Sequence, residues 1–137
     1  MGKLALRLSD ASRSGVYRVS GRDETIEAAR EAGLRLAAVA FGAKATLLKG
    51  IAEALAFPDW FGENWDALED CLTDLSWSGA AGHVLLFEGA RAGDDFGVLV
   101  DILQSAAEYW AGRGKPFFAV FIDPKAALPL PELFRRT

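Results

Sequence analysis

Apolar and polar positions follow two different periods along the chain, and the switches between them outline its elements. Residues 16–19 (VYRV) alternate as a short strand, and residues 24–33 (ETIEAAREAG) follow with helical spacing that Gly33 is placed to end. An apolar strand over 34–41 (LRLAAVAF) precedes a helix over 45–56. There Leu47, Leu48, Ile51, Ala54 and Leu55 recur on one face, and Phe57-Pro58 stops the pattern. Residues 84–87 (VLLF) and 117–122 (FFAVFI) read as buried strands with a helix over about 96–110 between them, and GRGKP turns the chain into the last strand. Strands alternating with helices predict an α/β fold of two layers: a parallel sheet of three to four strands with helices packed mainly on one face. The pattern assigns no element before residue 16, and the proline-rich tail over 124–137 is expected to pack as irregular chain.

One more helix, over 65 to about 76, carries most of the chemistry. The stretch FPDWFGENWDALEDCLTD, residues 57–74, holds six carboxylates (Asp59, Glu63, Asp66, Glu69, Asp70 and Asp74) and no basic residue. The whole chain, with 15 basic and 19 acidic residues, stands at only −4, so this window holds more than the entire excess of negative charge. Asn64 is suited to cap the helix, since its side-chain oxygen can accept from a free amide of the first turn. At about 100° per residue, Asp66, Asp70 and Asp74 advance along one face with Glu69 beside them, while Leu68, Cys71, Leu72 and Leu75 gather opposite. Like charges four apart on an exposed helix cost a few tenths of a kcal/mol per pair. Such a face is commonly only a solvated surface. Here Trp60, Phe61 and Gly62 precede it and Trp65 opens it, and tryptophans on a rigid loop beside an anionic helix describe a binding surface.

Composition removes several alternatives. A length of 137 residues with 51% apolar and 25% charged positions fits a single globular domain. Apolar runs stop well short of the ~20 residues of a bilayer span, and the N-terminal residues lack the apolar stretch of a secretory signal. The single Cys71 suits a reducing compartment, so a cytoplasmic, monomeric protein is expected. A pI near 5.0 argues against nucleic acid as partner. Glu63, Asp66 and Asp70 could offer oxygens to a hard metal, but the window lacks a spaced ligand loop, and neither a metal nor a cofactor is expected. Asp66 and Asp70 would project side by side instead of flanking a cleft, so a carboxylate-pair hydrolase is disfavoured. His83 is expected to be structural or at the surface, Cys71 an inert buried thiol, GAKAT (42–46) a turn, and the arginines at 7, 13, 18, 22, 30 and 35 solvated.

The run FPDWFGENWDALEDCL resembles the barstar family, in which a Pro-acid-aromatic-aromatic-Gly-Glu-Asn loop opens a helix reading Asp-Ala-Leu-x-Asp-Cys-Leu. The resemblance extends over residues 34–123, with 1–33 as an added strand and helix and 124–137 as a tail. It implies an intracellular, non-enzymatic inhibitor that plugs the basic active-site cleft of a small secreted ribonuclease of the barnase type. It further implies that Asp70 stands for the substrate phosphate, Asp66 is a second ionic anchor, Trp60 packs on a catalytic histidine, and Gly62 and Asn64 hold the loop. Glu63, Trp65, Glu69 and Asp74 are lesser candidates. The chain departs from the family pattern where Glu69 and Leu75 replace tryptophans, where Trp65 replaces a leucine, and where Tyr109, next to Glu108, replaces an acid. The alternative reading is a barstar-like module for a different basic partner, without nuclease inhibition.

Overall fold

The computed structural model describes residues 2–134. Four strands, β1 (Gly15–Val19), β2 (Arg35–Ala40), β3 (His83–Glu88) and β4 (Phe117–Ile122), form one parallel sheet in the order β1-β4-β3-β2. Five helices accompany them among the described residues: α1 (Lys3–Leu8), α2 (Arg22–Glu31), α3 (Lys44–Ala54), α4 (Trp65–Leu72) and α5 (Asp94–Ala111). The fold is therefore the α/β arrangement that the alternating pattern predicts.

Strand alternation distributes the core. On one face Ala37, Val39, Leu85, Phe87, Phe117, Ala119 and Phe121 meet the apolar sides of α3, α4 and α5, which form the main helical layer. Leu47, Leu48 and Ile51 of α3 and Leu99, Leu103 and Ala106 of α5 are fully buried there. The opposite positions, Val84, Leu86, Phe118 and Val120, face the reverse side of the sheet. There Ala5 and Leu8 of α1 with Ala28 and Ala29 of α2 cover them. Central strands β3 and β4 are thus buried on both sides, which is why VLLF and FFAVFI read as unbroken apolar runs.

The N-terminal segment differs most from its sequence reading. α1 lies where no element is predicted: six residues, KLALRL, with no side-chain cap, held by burial of Ala5 and Leu8. Three of the arginines expected to be solvated, Arg7, Arg18 and Arg35, are half-buried. Arg18 donates through Nε to Leu130 O (2.9 Å) and pairs with Glu132 (3.2 Å), and Arg35 Nη2 donates to Ala54 O (3.3 Å). The described part of the tail forms no helix or strand after β4, as expected of irregular chain, but it is tied down. Asp123 accepts from Ala127 N (3.0 Å) and Leu128 N (2.8 Å), and residues 131–133 then bond to the free edge of β1 through Arg18 N to Pro131 O (2.9 Å) and Leu133 N to Arg18 O (3.0 Å). The edge of β1 is thereby paired at Arg18, where its amide would otherwise stand free.

Candidate functional site

The chain leaves α3 through Ala56, whose φ of 53° is left-handed, with Phe57 N bonded back to Ala52 O (2.8 Å). This helix-ending turn throws residues 57–63 across the surface as a loop. Phe57 packs edge to face on Phe61 (5.0 Å between centroids) and on Trp77 (5.7 Å), so the loop has its own apolar footing. Trp60, beyond that footing, is 62% exposed.

Asn64 caps α4 as its residue type predicts, its Oδ1 accepting from Ala67 N at 2.8 Å. Its Nδ2 donates to Gly62 O (3.3 Å), tying loop to cap. Gly62 does not hold the left-handed position of this loop; Glu63 does, with a φ of 52°. What the glycine supplies is room, because a Cβ there would lie 3.3 Å from Asn64 Nδ2 and 3.6 Å from Ala67 Cβ.

Leu68, Cys71 and Leu72 are fully buried against the core, and Trp110 Nε1 from α5 donates to Leu72 O (2.7 Å), satisfying a carbonyl at the helix end. α4 stops at Leu72, a turn sooner than its apolar pattern predicts. Thr73 Oγ1 bonds back to Glu69 O (2.9 Å), and Leu75 takes a left-handed φ of 48° while burying its side chain. Burying a leucine stabilises by about 1.5–3 kcal/mol, enough to offset the roughly 1–2 kcal/mol of a left-handed residue. Asp74 therefore lies beyond the helix and not on its face. Asp70 falls in the last turn, where no basic residue stands and a carboxylate opposes the helix dipole.

Glu63, Asp66, Glu69, Asp70 and Asp74 are all exposed, together with Gly62 and Asn64. Among the described residues the ion pairs use Asp10, Glu27, Glu88 and Glu132, and none reaches an acid of this row. Among the described residues no cation of the chain forms an ion pair with the anionic face. Trp65 is half-buried against the core with Lys44 Nζ 5.4 Å from its ring centroid. No three His, Cys, Asp or Glu side chains are grouped to hold a metal among the described residues. No helix there is long and apolar enough to cross a membrane.

A surface of this kind, a capped helix with outward carboxylates behind an aromatic loop, suits a cationic partner. The family model of barstar, the barnase inhibitor, matches residues 32–122. The chain belongs to the barstar family. No curated protein matches the sequence. The barstar match takes in β2 through β4 with α3, α4 and α5, and so contains the whole acidic row and its loop.

Other reactive groups of this barstar-family chain are structural. His83 is buried and shares a hydrogen bond with Ser78 (Oγ to Nε2, 2.9 Å). Burial, then the charges of Arg35 and Lys115, lowers its pKa to about 4. Burial also raises the Cys71 thiol, with Asp74 and Asp70 adding to the effect, so the thiolate is disfavoured. Sequence reasoning missed Trp77 and Trp110, the two tryptophans whose indole N–H groups donate to carbonyls at the ends of α3 and α4.

Proposed function

We propose that this protein is an intracellular, non-catalytic inhibitor that binds one-to-one in the active-site cleft of a barnase-type ribonuclease. Family membership supports the class of partner. The observation that carries the reading is the row Asp66, Asp70 and Glu69: exposed, unpaired among the described residues, and held on a helix fixed by Asn64 at one end and Trp110 at the other. An enzyme that binds RNA must hold a cationic cleft, and a rigid anionic face is complementary to it. In this reading Asp70 takes the position of the substrate phosphate, Asp66 is a second ionic anchor, Trp60 the aromatic anchor, and Gly62 and Asn64 the loop formers. Glu63, Trp65, Glu69 and Asp74 add charge and area around them. The placement of Asp70 against the helix dipole, with Asp66 one turn away, is a cost to stability that binding explains.

A second reading has its own observation. The Arg113 guanidinium stacks 3.8 Å from the Tyr109 ring centroid, putting a cation where the family pattern has an acid. This favours a basic partner whose rim differs from that of barnase. One experiment separates the two: RNA cleavage by a panel of small secreted ribonucleases, measured with the protein and with Asp70→Ala. Inhibition of at least one nuclease, weakened in Asp70→Ala by about 2–5 kcal/mol, the scale known from barstar itself, supports the inhibitor. Association should slow steeply as salt rises. No inhibition of any nuclease would leave the module for another partner.

A further inference from the structure

Trp77 stands outside the acidic run and has no part in the reading above, yet the exposed anchor depends on it. Its Nε1 donates to Leu55 O (3.0 Å) at the end of α3, which fixes the indole plane. That plane meets Phe57 edge to face (5.7 Å, 81°) and Trp60 edge to face (6.3 Å, 85°). Phe57 in turn meets Phe61 (5.0 Å, 71°), so four rings run from the core to the outermost indole. Trp60 itself, 62% exposed, has no side-chain hydrogen bond among the described residues, and Trp77 is its one ring contact. An indole so exposed would otherwise sample several rotamers.

We propose that Trp77 is the positioning residue for Trp60, holding its indole in one orientation before a partner arrives, a role that rests on Trp60 being a partner contact. Ordering a free side chain at an interface weakens binding by roughly three- to tenfold, and a buttress present in the free protein removes that loss. Edge-to-face pairing of the two indoles supplies the preference, while the hydrogen bond to Leu55 keeps Trp77 from turning with Trp60.

Two measurements test this, one without any partner. Indole N–H order parameters from NMR relaxation should show Trp60 rigid in the native protein, near about 0.85, and mobile in Trp77→Ala, below about 0.6. An equally rigid Trp60 without Trp77 overturns the proposal. The second is affinity for barnase as probe. Trp77→Ala should weaken binding about three- to tenfold in the native background and not at all in Trp60→Ala, because the effect passes through Trp60. Equal losses in both backgrounds would show a merely structural effect and refute positioning. If Trp77→Ala does not fold, Trp77→Phe, which keeps a ring but removes the bond to Leu55, must still loosen Trp60. Failure of the native protein to bind barnase counts against the choice of barnase as target, while the order parameters still decide the role of Trp77.

Discussion

Lowering the pH should destabilise this protein in part through one side chain. His83 opens β3 between Arg35 of β2 and Phe117 of β4, buried and bonded to Ser78. Its pKa is lowered to about 4 by burial first and by Arg35 and Lys115 second. An unfolded histidine titrates near 6.5, so below that pH the unfolded chain binds a proton that the folded one refuses, and stability falls with pH until the folded group also titrates. The loss is small at about pH 7, reaches about 2 kcal/mol near pH 5, and levels off at about 3 kcal/mol below pH 4. Urea unfolding across this range, compared with His83→Asn, isolates the effect from the carboxylates, which both proteins share. The native protein should lose about 2 kcal/mol more than the variant between roughly pH 7.5 and pH 5. Parallel curves would mean that His83 is hydrated or charged when folded, and the account of this end of the sheet would be wrong.

The binding loop yields two more expectations. Glu63→Gly removes a left-handed strain of about 1–2 kcal/mol at the cost of about 0.5–1 kcal/mol in chain entropy. The free protein should therefore gain several tenths of a kcal/mol in thermal unfolding while associating more slowly with a basic nuclease; a loss of stability would contradict the strain. Asn64→Ala deletes the cap to Ala67 and the tie to Gly62, so it should destabilise by about 1 kcal/mol and raise hydrogen exchange at the first amides of α4. Unchanged exchange there would show that the cap does not hold the helix start.

Much of the architecture is legible because burial on both sides writes itself as VLLF and FFAVFI, and because α3 and α5 repeat leucines at helical spacing. The acidic face is equally legible, since charge sign needs no tertiary information. What escapes the sequence depends on distant partners. α1 is too short to be stable alone and exists because Leu8 and Ala5 find the back of the sheet. The early end of α4 has no glycine to announce it, because a buried leucine holds the left-handed position. Arg18 and Arg35 look like ordinary surface cations until residues 130–132 and 54 come beside them. Likewise the left-handed residue of the loop is Glu63, next to the glycine that its composition suggests.

The sheet order has a consequence for synthesis. Among the strands β1 pairs only with β4, across a separation from Gly15↔Phe118 to Val19↔Ile122, while β3 pairs with both β2 and β4. A chain emerging from the ribosome presents β1 before the other three strands, and β1 must wait for β4, about 100 residues later, before it can pair. The remaining three strands, with the acidic helix among their connections, can close without it. Assembly of the sheet should thus run against the order of translation, with β1, the first of its strands to be made, docking among the last.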